Sequence, residues 1–359
     1  MQKICNMVQF HTPIAVRKSV VQTITAPPQF VRSLLEGAKL RGYDAGEILI
    51  AEGLPAQAQE NQRVRISTKQ FAALTTRVIQ MLDDEACGQL ERRTPPGLLY
   101  FQLRACLSSH SLEDALSLWT LGVNLNDPSR SASFCSGAET GTLVLELQKS
   151  GSKDNYIAES TLSTVHRILC WLAEDFVPLE RVELTRPQSD FSEECHYLFY
   201  GAPVLFGQDR DSLVFSRRSL DFPCNRTRES LDSFMQAPWE WIVTLSRRGT
   251  SPAIKVRLWL EQVLNRDHKA PTLNNAAAYM GLHPQSLKRR LKKEGITYQI
   301  LKEEARRDMA INLIDQKRYS VEAIGFMLGY SDASTFIRAF KSWTGLTPLA
   351  YRNLGNSSL

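Results

Sequence analysis

One short pattern occurs twice towards the C-terminal end of this 359-residue chain, and it restricts the possible folds more than any other feature. The first copy reads Met280-Gly-Leu-His-Pro-Gln-Ser-Leu-Lys-Arg-Arg-Leu-Lys-Lys-Glu-Gly295. The second reads Leu328-Gly-Tyr-Ser-Asp-Ala-Ser-Thr-Phe-Ile-Arg-Ala-Phe-Lys-Ser-Trp-Thr-Gly345, and two small inserted residues let the copies align. Ahead of each turn lies a short apolar stretch, residues 274–280 or 321–328, that predicts a helix. Gly281 or Gly329 then predicts a sharp turn into a second helix that carries cations.

This is the grammar of a helix-turn-helix. On a helical wheel Leu287 and Leu291 share one face, and Phe336 and Phe340 are their equivalents in the second copy. Those faces must point into a core. The opposite faces present Gln285, Lys288, Arg289 and Lys292 in the first helix, and Ser334, Ile337, Arg338 and Lys341 in the second. Both sets have the i, i+3, i+4, i+7 spacing with which a helix in a major groove reaches base edges and flanking phosphates. Taken alone, the cations Lys288, Arg289, Arg290, Lys292 and Lys293 fit a solvated helix face as well as a DNA-binding one. Their place after a glycine turn, opposite an apolar face, points to DNA instead.

Residues from about 251 to 354 resemble the DNA-binding domain of AraC/XylS-type transcription regulators. The resemblance rests on Gly329-Tyr-Ser-Asp-Ala-Ser-Thr-Phe-Ile-Arg-Ala-Phe-Lys-Ser-Trp-Thr-Gly-Leu-Thr-Pro348, closed by Tyr351-Arg352. It implies that Gln285, Lys288, Arg289, Ser334, Ile337 and Arg338 face bases. Arg can bridge guanine O6 and N7, whereas Ile337 meets only an apolar edge such as a thymine methyl. Lys292, Lys293 and Lys341 are expected on phosphates, and His283 as a cap or phosphate contact. One departure is Gly325, where the family usually carries Ala, at a helix-propensity cost of about 1 kcal/mol that would loosen the short helix.

A chain of this length exceeds one such module, so at least two domains are expected. Hydrophobic content of 43% and charged content of 23% suit a soluble globular protein. From residue 251 onward there are 17 Lys+Arg against 9 Asp+Glu, so positive potential concentrates on the repeat region. The seven cysteines all lie at or before Cys224, and none sits in a C-x-x-C or Cys/His spacing, so reduced cytoplasmic thiols are expected. Neither a metal nor a cofactor is expected. Residues 1–23 lack the apolar run of a secretion signal, and no stretch approaches a membrane span.

Residues 1–24 lack periodicity and read as an arm. Helices are expected from Pro27-Pro28 with Phe30, Leu34, Leu35 and Ala38 on one face, over 45–52, from a Ser67 cap to Leu82, over 98–107, and over 112–122 behind the Ser111–Asp114 capping box. The period then changes to two. Strands are expected over 131–135, 142–147 and 181–185, helices over 157–176 and 191–200, and a hairpin of 203–206 with 212–216. Residues 228–246 read as helical with a break near Pro238, and 253–264 as the support of the first repeat. The fold class is therefore mainly α with a smaller α/β layer, ending in an all-α tandem helix-turn-helix domain. The domains are an arm over 1–24, a sensing and dimerisation domain over 25–223, a helical linker over 224–250 and a DNA-binding domain over 251–354.

The first part also resembles the sensor of the ornithine-utilisation-regulator-like AraC/XylS subgroup. Carrying residues are Asp83-Asp84-Glu-Ala-Cys-Gly88, Thr94-Pro-Pro-Gly97, Ser111-Leu-Glu-Asp-Ala-Leu116 and Ala202-Pro-Val-Leu-Phe-Gly207. The resemblance implies a bacterial activator that binds double-stranded promoter DNA and a small-molecule effector, contacts RNA polymerase and forms a homodimer. Two rivals are weighed against it. Alkyl-transfer repair proteins need a Pro-Cys-His-Arg nucleophile, and Pro223-Cys224-Asn225-Arg226 lacks its histidine, so no enzyme is expected. An architectural DNA binder without an effector is the other. His166 with Cys170 and Cys195 with His196 read as buried structural groups, and Trp259, Phe326, Met327 and Trp343 as core.

Overall fold

The computed structural model describes residues 25–54, 64–126, 129–149, 156–188, 192–243 and 251–353, so the expected arm lies outside the described residues. Pro at the first turn opens α1 (Pro28–Leu40), which buries Val31, Leu34, Leu35 and Ala38. Asp44 caps α2 (Ala45–Ala51) by accepting the Glu47 backbone N–H at 2.8 Å. Ser67 and Gln70 close a reciprocal capping box on α3 (Thr68–Leu82). Two short strands, β1 (Thr25–Ala26) and β2 (Ile66–Ser67), pair antiparallel beside these helices. After α4 (Leu98–Cys106), the Ser111 hydroxyl and Asp114 carboxylate cap α5 (Leu112–Asn126) reciprocally. That helix outruns its expected end at Gly122 because buried Val123 continues the stripe of Leu112, Ala115, Leu116 and Trp119.

A five-stranded sheet follows, in the order β3-β4-β7-β5-β6. Its strands are β3 (Arg130–Ser136), β4 (Thr140–Leu147), β5 (Leu179–Leu184), β6 (Val204–Phe206) and β7 (Asp211–Ser216). The hairpin expected between the last two does not form. Instead β7 inserts between β4 and β5, antiparallel to both, and β6 pairs parallel to β5 at the edge. Burial explains the exchange: Asp211 through Phe215 are buried at every position, which only a central strand allows, whereas β6 keeps Leu205 exposed. Helix α6 (Ile157–Ala173) covers the sheet with both faces largely buried. The helix expected over 191–200 shrinks to a 3-10 turn (Ser192–Glu194) and α7 (Cys195–Leu198). Beyond α8 (Arg217–Leu220), α9 (Arg228–Met235) and α10 (Pro238–Val243) break at Pro238 and bury Leu231, Phe234 and Ile242 in the core of this α/β part.

The C-terminal part is helical throughout: α11 (Pro252–Asp267), α12 (Leu273–Tyr279), α13 (Pro284–Lys293), α14 (Tyr298–Asp315), α15 (Val321–Met327), α16 (Ala333–Thr344) and α17 (Pro348–Asn353). Among the described residues, no helix is long and apolar enough to cross a membrane. Two large apolar cores organise the chain. One is built on α4–α10 and the sheet, and includes Trp119, Leu143, Leu172 and Phe215. The other runs from Leu35, Leu49 and Leu74 of the first helices into Leu260, Met309, Phe336 and Phe340 of the last ones. Phe326, expected in the core, is 56% exposed, because α15 turns Ile324 inward and leaves Phe326 on the outer face.

A buried polar cluster joins the first residues to the middle of α14. Asp308, 2% exposed, accepts hydrogen bonds from Thr25 Oγ1 at 2.7 Å, Arg257 Nη2 at 2.8 Å and Arg307 Nε at 2.9 Å. Arg65 donates to Thr25 Oγ1 at 2.7 Å and forks onto Glu194, while Arg257 also reaches Glu261 at 3.1 Å. Tyr197 donates to Glu304, and Gln70 to Asp315 at 2.7 Å. Burial alone would raise the Asp308 carboxyl; the Arg307, Arg257 and Arg65 cations outweigh it and hold it at about 2. Burial raises the Glu304 carboxyl above its ordinary value, against the pull of Arg257 and Arg307.

These two carboxyls act on stability with opposite sign. Asp308 stabilises above its unfolded value of about 3.9 and loses that contribution as pH falls towards 2. Glu304 binds its proton more tightly when folded, so it adds stability as pH falls from neutral towards its unfolded value of about 4.3. Glu304→Gln keeps an acceptor for Tyr197 and removes the titrating charge. Urea unfolding of both proteins from about pH 8 to about pH 5 is expected to show a smaller gain on acidification in the variant, and equal gains would refute the assignment.

A second expectation separates the two glycine turns. Gly281 has φ +63° and open space where a Cβ would stand, so Gly281→Ala should cost only the left-handed strain, about 1 kcal/mol. Gly329 has φ +76°, and a Cβ there would lie 2.8 Å from the backbone nitrogen of Ala270. Gly329→Ala is therefore expected to cost more, on the order of 2–3 kcal/mol, in chemical denaturation.

Candidate nucleic-acid interface

The first helix pair is fixed by its ends. Thr272 and Asn275 form a capping box on α12, and Ala276 and Ala277 are fully buried, small enough to bring that helix close to its neighbours. The left-handed Gly281 closes the helix, with Leu282 N–H donating to Ala277 O at 2.9 Å. His283 then caps α13: its Nδ1 accepts the Gln285 backbone N–H at 3.3 Å, and Pro284 occupies the first turn. This agrees with the capping role expected for His283. Leu287 and Leu291 are buried, and Gln285, Lys288, Arg289 and Lys292 are exposed.

The second pair repeats the plan with different side chains. Ser320 caps α15, Gly329 makes the turn, and Asp332 caps α16 by accepting Thr335 N–H and Oγ1–H, each at 2.8 Å. Those bonds hold the Asp332 carboxyl below its ordinary value. Phe336 and Phe340 are fully buried, and Ser334, Arg338 and Lys341 are exposed while Ile337 is half-buried. Gly325 has a structural reason. A Cβ there would sit 3.1 Å from Phe336 Cβ, so the glycine lets α15 and α16 approach closely rather than merely loosening the helix.

Helix α14 holds the two pairs in one frame. Tyr298 at its start donates to Pro271 O at 2.7 Å, just ahead of α12. Arg306 at its middle donates to Leu328 O at 3.1 Å and Gly329 O at 3.3 Å, and stacks its guanidinium 4.5 Å from the Tyr330 ring centre. The turn before α16 is thereby bonded to the connecting helix. Neither Tyr298 nor Arg306 stands out in the sequence, where they look like ordinary surface residues of an amphipathic helix. Arg257 does leave a signal: with Glu261 it falls in phase with the apolar positions Ala253, Leu260 and Leu264, where a charge must find a partner.

Elsewhere many guanidiniums pair with carboxylates, as in Arg93–Asp83 at 2.8 Å, Arg217–Glu113 at 2.6 Å and Arg226–Glu174 at 2.7 Å. On α13, Lys288, Arg289, Arg290, Lys292 and Lys293 have no ion-pair partner among the described residues. Those in its last turn also complement the negative end of the helix dipole. Two exposed helix faces thus present unmatched donors to solvent, with Arg338 held lightly by Thr335 Oγ1 at 3.4 Å.

Burial holds the described thiols and the His166 imidazole weighed in the sequence in their neutral forms. His166 is fully buried, its Nε2 lies 2.7 Å from Val177 O, and burial lowers its pKa to about 4. Burial pushes the Cys170 and Cys195 thiols up to about 12. Cys224 donates to Ser111 O at 3.4 Å, and burial with Asp114 raises it to about 11, far from a nucleophilic thiolate. The side chain of His196 lies outside the described residues.

Comparison with known proteins identifies two family matches. Residues 42–224 match the arabinose-binding domain of AraC transcription regulators, and residues 276–354 match a helix-turn-helix domain. The HTH-type regulator VqsM of Pseudomonas aeruginosa is 26% identical over 208 residues, covering 55% of this chain and 59% of its own. The ornithine utilization regulator of the same organism is 26% identical over 209 residues, covering 58% and 60%. Thus the chain spans about three fifths of the length of these relatives. Among solved structures, the transcriptional regulator CdpR from Pseudomonas aeruginosa is 19% identical, with 92% of this chain and 100% of that one covered and a TM-score of 0.31. With the sensor match alone spanning half of its length and the helix-turn-helix match following it, the chain belongs to the AraC family of transcription regulators.

Proposed function

We propose that this protein is an effector-controlled, sequence-specific DNA-binding transcription regulator that reads two adjacent major-groove segments with α13 and α16. The observation that carries the reading is the pair of exposed faces, each opposite a buried apolar pair and each behind a capped glycine turn. Arg289 and Arg338 read bases, joined by Gln285, Lys288, Ser334 and Ile337; Lys292 and Lys341 hold phosphates. The domain plan is a sensing and dimerisation part over 25–223, a helical linker over 224–250 and a tandem helix-turn-helix domain over 251–354. A cavity of about 190 Å³ within the sensor half supports control by a small molecule. Family membership favours activation through RNA polymerase and a homodimer.

Arg289→Ala and Arg338→Ala are each expected to cost about 1–3 kcal/mol on the cognate site and much less on random DNA. Lys292→Ala should weaken all sequences alike, with log affinity falling less steeply against log salt. Equal losses on cognate and random DNA would make the two Arg residues phosphate anchors. Spacing gives an independent test. The 18 residues of α14 span about 27 Å at 1.5 Å each, comparable to the roughly 34 Å between successive major-groove faces. Inserting about five base pairs between the two half-elements turns one to the far side of the duplex. Specific binding is expected to be lost, and undiminished affinity would mean that only one helix pair reads DNA.

A further inference from the structure

Arg306 lies near the middle of α14 with its side chain 12% exposed, so it meets protein rather than solvent. Its planar guanidinium is held along its edges. Nε donates to Leu328 O at 3.1 Å, Nη2 donates to Gly329 O at 3.3 Å, and Nη1 lies 3.6 Å from a Glu303 carboxylate oxygen. The two carbonyls follow the last residue of α15, where a helix end leaves its own acceptors without helical donors. A rigid fork fits two successive carbonyls, and an ammonium on a flexible stem does not reproduce it. The face of the guanidinium stacks 4.5 Å from the Tyr330 ring centre. That ring lies in turn 5.7 Å from Phe336 and 6.4 Å from Trp343, both on α16.

The consequence falls on the start of α16. Ser331 and the capping Asp332 are all that separate Tyr330 from Ala333, the first residue of that helix. Residues 328–330 therefore set where its first turn stands, and Ser334, Ile337 and Arg338 project from that turn and the next. On its other side Gly329 stands against the Ala270 backbone, so the turn is clamped between that segment and Arg306. Helix α14 meets the first pair elsewhere, through Tyr298 and Pro271 O ahead of α12, and the Gly281 turn has open space around it. A hydrogen bond to a base edge weakens steeply when its donor is tilted out of line, whereas attraction to phosphates is insensitive to small rotations. We propose that Arg306 is a positioning residue for sequence reading by α16, acting through its fork on Leu328 and Gly329 and its stack on Tyr330, with no such part at α13. The proposal rests on the tandem reading above.

The full chain is tested on a duplex that it selects from random sequence, and on derivatives with one half-element scrambled. Discrimination is the ratio of the dissociation constant on the scrambled duplex to that on the selected one, a ratio from which any loss of folded protein cancels. Arg338→Ala marks the half-element that α16 reads. Arg306→Lys keeps the charge and loses the fork, and it is expected to lose at least about fivefold in discrimination at that half-element, the lower end of what one bidentate contact supplies. Arg306→Met, which keeps the apolar stem alone, should lose at least as much. Discrimination at the other half-element and affinity for random duplex should stay within about twofold of the parent chain, with an unchanged salt slope, because Arg306 faces no phosphate. An Arg306→Lys chain that discriminates like the parent makes charge rather than geometry the cause and overturns the proposal. Equal losses at both half-elements overturn it too, since they mark a general weakening. A parent chain whose discrimination survives Arg338→Ala undiminished refutes base reading by α16 itself, and that variant alone tells the two failures apart.

Discussion

Asp308 is a carboxylate with almost no access to water, placed halfway along the helix that carries both helix-turn-helix pairs. An unpaired charge there would be prohibitively costly, so its position dictates what surrounds it. Arg257 from α11, Arg307 from the preceding position and Thr25 from the first strand all converge on its two oxygens. Arg257 brings α11 to the cluster, with Glu261 on the same helix accepting from it, and Thr25 brings Arg65 and Glu194 with it. A cluster that ties two distant segments to α14 at once tolerates few relative placements of those segments, so it specifies register as well as contributing to stability.

The apolar packing follows the same path. Charge and chain breaks divide the sequence near residue 250, with positive charge beyond it. Hydrophobic burial joins what those signals separate: Leu35, Leu49 and Leu74 belong to the core that contains Met309, Phe336 and Phe340. The Tyr351 hydroxyl adds a bond to the Arg65 carbonyl, so even the last helix is tied to β2. The helix-turn-helix pairs consequently stand on a base that includes the first described helices. Anything that moves β1, α1 or α3 moves part of that base.

Local signals made most helices legible. Ser67 and Ser111 announced starts because each has its reciprocal partner three residues on, and the structure forms those bonds; the equally local caps at Thr272 and Asp332 were not read from the sequence. The buried pairs Leu287 with Leu291 and Phe336 with Phe340 followed from periodicity alone. What failed was decided at long range. The last two strands looked like a hairpin because they are close in sequence, but the burial of every residue from Asp211 to Phe215 demanded neighbours on both sides. Phe326 looked like core because it is large and apolar, yet the short helix has one inward face and Ile324 and Gly325 occupy it. Thr25, Arg65, Glu194 and Asp308 are scattered over nearly the whole chain, so no window of sequence contains their contact.

The two helix-turn-helix pairs are alike in plan and unlike in attachment. The turn before α13 is open: Gly281 has free space around it, and His283 caps the helix from within its own turn. The turn before α16 is enclosed, with Gly329 against the Ala270 backbone and its carbonyl held by Arg306. Side-chain chemistry runs the other way. Five unmatched cations crowd α13, whereas α16 offers Arg338, Lys341 and the apolar edge of Ile337. Phosphate attraction scales with the number of free cations, so if both helices dock as proposed, α13 contributes the larger salt-dependent share of affinity and α16 the smaller, while each keeps one arginine, Arg289 or Arg338, for a base edge. The enclosed turn before α16 then tolerates less change in how its helix is presented than the open turn before α13.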